Sequence, residues 1–431
     1  MPGLDSLTQI VLGAAAGELA AGRQLGNRAM LWGALAGTVP DLDVLAGTVA
    51  DPVTDLAFHR CVTHSLYYAA LASPVLAWMA RSLYRVDARG RPGLRYPLDT
   101  WLPGLLAVYA LLIVGSYVSP TPLEGIWRYS AVVALATAAV PLLVWALRRV
   151  RPRARNPRVS YARWLGLFAL AIGTHPLLDC FTTYGTQVLQ PFAELRVAWN
   201  TISVADPAYT LPFLACVLAA SRALRHSVWR RRLTWLGVAL STAYLAWTVR
   251  NHVGVRAQVA ADLAAQRIPH ERFLVTPTLL QNVLWNVTVD QGDSLAVTQL
   301  GLLDAPFRLP PKPATPPAAT PDAGAWTVLP KGDDLLGPIR SERAVRVATW
   351  FSDGYYSVRR GRGDTLQYVD LRFGLFPGQE DESAPVFGFQ LYPGGPGEAW
   401  GFRQNPVRGG DVDFGEVWEK LWGRVRGREG D

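Results

Sequence analysis

The stretch W-L-P-G-L-L-A-V-Y-A-L-L-I-V-G-S-Y-V-S at residues 101–119 contains no charged side chain. An apolar run of about 20 residues is long enough to cross a bilayer as a helix. Seven other runs approach this length or this apolar content, at residues 4–21, 29–39, 65–80, 129–147, 164–180, 208–220 and 233–249. The sequence therefore predicts a mainly α membrane protein with about eight transmembrane helices and a β-rich soluble domain at its C-terminal end.

The first two runs are rich in small residues. They contain G-A-A-A-G at residues 13–17 and G-A-L-A-G at residues 33–37. Small residues let two helices approach closely, which predicts tight packing of these helices inside a bundle.

The charges are distributed unevenly along the 431 residues, whose net charge is +8. Residues 1–250 contain 23 arginines, no lysine and 12 acidic residues. Most of these arginines fall between the apolar runs, in residues 81–95, 148–163 and 222–232 and at Arg23 and Arg28. The positive-inside rule then predicts a multi-pass inner-membrane protein with these loops in the cytoplasm and both the N-terminus and the C-terminal domain outside. Because topology accounts for the arginines, we expect no direct binding of nucleic acid.

Composition also excludes two classes of protein. Half of the residues are hydrophobic, which is too rich for intrinsic disorder, and three cysteines are too few for a disulfide scaffold. The N-terminus lacks the basic region of a signal peptide.

We predict four parts along the chain. Residues 1–250 form the helical transmembrane domain, 251–309 a connecting helix and the first strands, 310–323 a proline-rich linker, and 324–431 a β-rich soluble region with a glycine-rich tail after Gly394. The predicted strands are residues 273–275, 285–289, 295–300, 345–351, 355–358, 366–373 and 386–392.

Three short motifs contain the residues that could perform chemistry. They are P-D-L-D at 40–43, H-R-C-V-T-H-S at 59–65 and T-H-P-L-L-D at 174–179. His175 and Asp179 are four residues apart, so on a helix they share one face and could bind a single cation. His59 and His64 are five residues apart and need a turn between them to converge. Imidazole and carboxylate ligands together suit zinc, iron or manganese.

Each motif also has a purely structural interpretation. Ser6 and Gln9 fit a capping box to which Asp5 could contribute. P-D-L-D fits a turn at a helix end, and His175 with Asp179 fits an ordinary i,i+4 pair. The convergence of ionisable residues from four helix ends favours a site, because such residues are costly near a membrane and usually face a cavity or a partner. Cys61 and Cys180 are interpreted as small packing residues.

Several of these segments resemble one known family. They are D-S-L-T-Q (5–9), W-G-A-L-A-G-T-V-P-D-L-D (32–43), H-R-C-V-T-H-S (59–65) and H-P-L-L-D-C-F-T-T-Y-G-T (175–186). They resemble the membrane-bound metal-dependent hydrolases, also described as LexA-binding, inner-membrane-associated hydrolases, over roughly residues 1–280. The resemblance implies a distant similarity to zinc-dependent phospholipase C and the P1 nucleases, whose H-x-x-x-D pair matches His175 and Asp179.

The predicted function is hydrolysis of a phosphoester or an ester by a divalent metal ion at the outer membrane–water interface. The location favours an amphiphilic substrate such as a phospholipid. Zinc is the first choice of metal, with iron or manganese as alternatives. The predicted metal ligands are Asp41, His59, His64, His175 and Asp179. Asp43 or Asp5 would act as general base or orient a ligand, and Arg60 would hold an anionic group. The predicted substrate-lining residues are Ser6, Gln9, Thr63, Ser65, Thr182, Thr183 and Tyr184.

Two other functions fit the same sequence. One is a transporter-like protein that binds the ion without hydrolysis. The other is a non-catalytic membrane scaffold whose arginine-rich loops contact a regulatory protein partner.

Overall fold

The computed structural model describes residues 2–48, 50–84, 95–118, 130–137, 159–311, 326–375, 386–395, 398–404 and 414–427. The chain divides into two compact units. The first contains Met1–Trp199 and Pro207–Leu245, and the second contains Asn200–Asp206 and Ala246–Asp431.

The first unit is helical. Its helices are α1 (Pro2–Leu25), α2 (Asn27–Thr38), α3 (Pro52–Phe58), α4 (Leu66–Ser82), α5 (Arg95–Val118), α6 (Tyr161–Asp179), α7 (Pro207–Arg222) and the first part of α8 (Val228–Ala265), and residues 130–137 are also helical. Two 3₁₀ turns, Pro40–Thr48 and Val62–His64, lie between them. Side-chain oxygens of Asp51, Ser65 and Ser160 accept a backbone N–H and so cap α3, α4 and α6.

The predicted close packing of the two small-residue helices is confirmed. A Cβ atom added to Gly13 or Gly17 of α1 would collide with the backbone of Gly33 or Ala29 in α2. The absence of side chains at these glycines therefore sets the distance between the two helices.

Helix α6 packs against α1, α2 and α4 through buried aromatic rings. Trp32 of α2 meets Trp164 and Phe168 of α6 edge-on, with ring centroids 5.7 and 6.0 Å apart. The Trp32 indole N–H donates to the Tyr84 hydroxyl at 2.9 Å. These contacts hold the N-terminal half of α6 against α2.

The prediction of about eight transmembrane helices is wrong. Among the described residues, no helix combines the length and the apolarity that a membrane crossing requires. Helices α4 and α7 have 17 and 16 residues. They are therefore only about 25 Å long, short of the ~30 Å hydrocarbon core of a bilayer. Many alanine and aromatic residues of the predicted crossings are buried between the helices. The predicted loop orientation rested on those crossings and loses its basis with them.

The second unit contains two four-stranded antiparallel sheets, in which each strand pairs with the next one in sequence. The first sheet consists of β1 (Arg272–Pro277), β2 (Leu284–Asp290), β3 (Ser294–Gly301) and β4 (Thr327–Pro330). The second consists of β5 (Tyr356–Arg360), β6 (Leu366–Asp370), β7 (Gly388–Tyr392) and β8 (Gly401–Gln404). The helices of this unit are the second part of α8, α9 (Asp333–Leu336), α10 (Arg343–Phe351) and α11 (Phe414–Val425).

The second unit confirms six of the seven predicted strands and corrects the remaining one. Residues 345–351 form the end of α10 rather than a strand, because Ala344, Ala348 and Phe351 recur with helical spacing and are buried. The tail after Gly394 contains β8 and α11, and α11 is held by a buried pair in which Arg424 donates to the Asp304 carboxylate at 2.5 and 2.7 Å. Most of the predicted linker at 310–323 lies outside the described residues.

Candidate metal centre

Four side chains of the first unit converge from three segments. Asp41 lies in the 3₁₀ turn that follows α2, where Pro40 cannot continue the helix. His64 lies in the 3₁₀ turn just before α4, and His175 and Asp179 lie in the last turns of α6. We call Asp41, His64, His175 and Asp179 the histidine–aspartate cluster.

Each imidazole of the cluster faces both carboxylates. His64 Nε2 lies 3.4 Å from Asp41 Oδ1 and 3.5 Å from Asp179 Oδ2. His175 Nε2 lies 3.3 Å from Asp41 Oδ1 and 3.4 Å from Asp179 Oδ2. A tetrahedral zinc ion with nitrogen and oxygen ligands at about 2.0–2.1 Å spaces those ligands about 3.3–3.4 Å apart. The four N···O separations are close to this spacing, and the ligand atoms of Asp41, His64 and His175 all lie within 4.8 Å of one another.

Three polar atoms of the cluster are buried without a hydrogen-bond partner among the described residues: Asp41 Oδ2, His175 Nε2 and Asp179 Oδ2. A buried polar atom without a partner costs about 1–3 kcal/mol. Two of the three, His175 Nε2 and Asp179 Oδ2, are among the four facing atoms. A cation held between these groups would satisfy them, so the donor set fits a divalent metal ion.

Hydrogen bonds on the far side of each imidazole orient the ring. His175 Nδ1 lies 2.6 Å from the carbonyl oxygen of Gly37, so Nδ1 carries a proton and Nε2 is the nitrogen that faces the carboxylates. His64 Nδ1 lies 3.1 Å from the Thr63 hydroxyl and 3.4 Å from Asp43 Oδ2. A partner of this kind on the other ring nitrogen is the usual arrangement around metal-binding histidines.

Asp43 organises the segment that contains both histidines of the 59–65 motif. Its side chain is fully buried, and its Oδ2 accepts hydrogen bonds from the Arg60 backbone N–H at 3.1 Å and from the Thr63 hydroxyl at 3.2 Å. Its Oδ1 lies 3.1 Å from His59 Nδ1. Asp43 therefore orients His59 and His64 and is not one of the four facing residues.

The ionisable groups of the site shift one another's pKa values. Burial raises the pKa of Asp41, but the nearby His175 and His64 outweigh it and hold this pKa well below its usual value. Burial likewise lowers the pKa of His175 and of His64, but the surrounding carboxylates outweigh it and raise both. Without an ion, the cluster is therefore stabilised by protonated imidazoles held between carboxylates.

Asp179 is held by two further side chains. The Gln9 amide donates to Asp179 Oδ1 at 2.8 Å, and a guanidinium nitrogen of Arg60 lies 3.6 Å from the same oxygen. Arg60 also donates to the Thr182 hydroxyl at 2.9 Å and lies 4.9 Å above the Tyr184 ring. Burial raises the pKa of Asp179, but Arg60 first and His175 next outweigh it and lower this pKa.

Several of the predicted site residues lie in positions that differ from the predicted ones. Arg60 is buried against Asp179 and Tyr184, and Gln9 and Thr63 position aspartates of the site. His59 pairs with Asp43, its ring centroid is 5.1 Å from that of Tyr184, and 23% of its side chain is exposed.

The remaining predicted residues lie at the edge of the site, or their side chains lie outside the described part of the chain. Ser65 caps α4, and Thr183 is buried next to Thr182. Ser6 lies inside α1, which begins at Pro2, so Ser6 and Gln9 do not form an N-terminal capping box. The side chain of Asp5 lies outside the described residues.

The sequence gives no direct signal for one partner that the structure reveals. The Gly37 carbonyl that fixes His175 is a backbone group, and only the small-residue pattern 33–37 indicates that another segment approaches it closely.

The comparisons with known proteins point to a membrane family. Residues 4–124 and 130–255 match the family model described as YdjM inner membrane protein. The chain belongs to this family. The matched ranges cover more than half of the chain and include the whole histidine–aspartate cluster. No curated protein and no solved structure matches the chain. The family supports the inner-membrane part of the resemblance described from the motifs.

Proposed function

We propose that this protein is a metal-dependent hydrolase of a phosphoester or an ester, and that the histidine–aspartate cluster holds its divalent ion. One observation carries the proposal: each of two Nε2 atoms lies 3.3–3.5 Å from both of two carboxylate oxygens. Two nitrogens and two oxygens suit zinc first, with iron or manganese as alternatives.

A bound divalent ion would lower the pKa of a coordinated water to about 7 and polarise the scissile group. Among the described residues, we assign the proton-accepting role to His59, whose ring centroid lies 6.0 Å from that of His64. Asp43 holds His59 Nδ1 at 3.1 Å, which leaves Nε2 as the free basic nitrogen, and the side chain is partly exposed. Asp43 therefore acts through the two histidines that it orients.

The surroundings of the cluster favour an amphiphilic substrate. Large apolar side chains are exposed on the segments that adjoin it: Val44 and Leu45 in the turn that contains Asp41, and Phe192 and Trp199 beyond Tyr184. An inner-membrane family and an apolar rim beside a polar cluster together suit an ester or phosphoester with an acyl chain, such as a phospholipid.

A protein that binds the ion without hydrolysis is the second candidate. The burial of His64 and His175 favours it, since these rings are 0% and 1% exposed and only the 12% exposure of the Asp41 side chain opens the cluster to solvent.

The test is metal analysis and hydrolysis on the same purified full-length protein. We expect one zinc per chain and hydrolysis of bis(p-nitrophenyl) phosphate or p-nitrophenyl butyrate. His175→Ala and Asp179→Ala should lose both, whereas His226→Ala, which changes an exposed histidine outside the cluster, should keep both. Stoichiometric zinc without hydrolysis of either substrate would favour the second candidate. Absence of any bound divalent metal would overturn the proposal.

A further inference from the structure

The N-terminal half of α8 combines exposed arginines with exposed tryptophans. Residues 207–261 contain no aspartate or glutamate, and α8 has three consecutive arginines at 230–232. Arg230 is buried and donates to both carboxylate oxygens of Glu18, at 2.7 and 2.5 Å. Arg231 and Arg232 point outward and are exposed. The first arginine is therefore structural, and the other two are available to a ligand.

The two exposed arginines lie on one face of α8 and line a shallow, open concavity of about 530 Å³. We call it the arginine–tryptophan groove, and it is lined by Val228, Arg231, Arg232, Trp235, Leu236 and Ala239. Its apolar wall is unusually accessible, since Val228 is 63% exposed and Trp235 50%. The Arg232 guanidinium lies 5.4 Å above the ring of Trp229, which is 65% exposed.

We propose that the arginine–tryptophan groove binds an anionic phospholipid, with the phosphate on Arg231 and Arg232 and the upper acyl chain along Trp235 and Leu236. Guanidinium groups bind phosphate through paired hydrogen bonds, and tryptophan favours the boundary between headgroups and acyl chains. Residues 207–261 contain no acidic side chain that could neutralise the arginines of this face. The segment is therefore positively charged, which complements a negatively charged lipid. Membership of an inner-membrane family places the protein near such lipids.

This groove is separate from the histidine–aspartate cluster. Helix α1 contacts the cluster through Gln9 and contacts Arg230 through Glu18. Further along α1, the carbonyl of Arg23 accepts a hydrogen bond from Arg225 at 2.8 Å. Nine residues of helix separate Gln9 from Glu18, the contact of Arg230, a distance of about 14 Å. Lipid binding at the groove therefore does not depend on the proposed metal ion.

The test is isothermal titration calorimetry of the full-length protein in an uncharged detergent. The ligands are dihexanoyl phosphatidylglycerol, dihexanoyl phosphatidylcholine and inorganic phosphate. We expect saturable binding of phosphatidylglycerol that weakens about 10- to 30-fold in the Arg231→Gln, Arg232→Gln double variant, because each arginine near an anionic lipid contributes a factor of about five. Trp235→Ala should weaken the same binding several-fold.

A matched control removes the same charge elsewhere. Arg360→Gln with Arg362→Gln changes two exposed arginines of the second unit and should leave phosphatidylglycerol binding unchanged. Unaltered thermal unfolding of both double variants shows that they remain folded. Equal affinity for the two lipids, or insensitivity to the Arg231 and Arg232 changes, would overturn the proposal. Inorganic phosphate that binds as tightly as phosphatidylglycerol would identify a phosphate site and overturn the lipid assignment.

Discussion

Replacement of Asp43 by asparagine should separate the proton-accepting role of His59 from the binding of the metal ion. Asp43 Oδ2 accepts hydrogen bonds from the Arg60 backbone N–H and from Thr63, and Oδ1 faces His59 Nδ1 at 3.1 Å. In Asp43→Asn, the amide oxygen should keep the Oδ2 position, because an NH₂ group there would face two donors. The NH₂ group then donates to His59 Nδ1 and reverses the tautomer of that ring.

The reversed tautomer places the proton on His59 Nε2, which can then no longer accept one. The same reversal of the histidine tautomer at a buried aspartate–histidine pair lowers turnover about 10⁴-fold. The His59 side chain is 23% exposed and can exchange protons with solvent. We therefore expect a smaller loss of kcat, about 10²- to 10³-fold. His64 keeps an oxygen partner at position 43, but that partner no longer carries a negative charge. The zinc affinity should therefore fall about 10-fold, equivalent to about 1.4 kcal/mol.

The assay measures both quantities on the same protein. Zinc affinity is obtained by competition with a chromogenic chelator, and kcat is measured on bis(p-nitrophenyl) phosphate at saturating zinc. Asp51→Asn is the matched control, because asparagine also caps the helix that Asp51 begins. A kcat within threefold of the wild-type value, or a loss of zinc as complete as in His175→Ala, would refute the assigned role of Asp43.

Three further predictions concern stability. Gly33→Ala should destabilise the protein by about 1–3 kcal/mol in urea unfolding because its Cβ collides with α1, whereas Gly173→Ala, whose Cβ meets nothing within 4 Å, should be neutral or stabilising. Glu18→Ala leaves Arg230 buried and unpaired and should cost about 3–5 kcal/mol, and a Glu18→Leu, Arg230→Met double variant should recover most of it. The lowered carboxyl pKa values stabilise the metal-free protein above about pH 4, and the raised histidine pKa values stabilise it below about pH 6.5. The chelated protein should therefore unfold at higher urea at pH 5.5 than at pH 8.5, and equal midpoints would contradict this balance.

The sequence motifs predicted which residues meet better than they predicted what each residue does. His175 and Asp179 could be paired in advance because helical spacing alone brings them onto one face. The position of His59 could not be predicted from spacing, because it depends on the turn that follows this residue, where Arg60 has φ 61°. This turn directs His64 toward the cluster and leaves His59 on Asp43.

Hydrophobic patterns predicted the strands well and the membrane crossings badly. Strands β2 and β3 follow runs of β-branched and aromatic residues between turn residues, so local sequence sufficed. For a helix, the same apolar composition fits either a bilayer crossing or a helix buried by its neighbours. Residues such as Trp164 and Ala171, which are 0% and 1% exposed, pack against other helices, and the composition of one segment does not show those contacts.

The most direct test of the account is X-ray absorption at the zinc edge of the purified full-length protein. We expect one zinc per chain, bound by four nitrogen or oxygen ligands at about 2.0–2.1 Å, two of them with the multiple-scattering pattern of imidazole. We expect no sulfur ligand at about 2.3 Å, because no cysteine belongs to the histidine–aspartate cluster. A sulfur shell, a single imidazole, or a spectrum unchanged in His64→Ala and His175→Ala would contradict the assignment of the ion to the histidine–aspartate cluster.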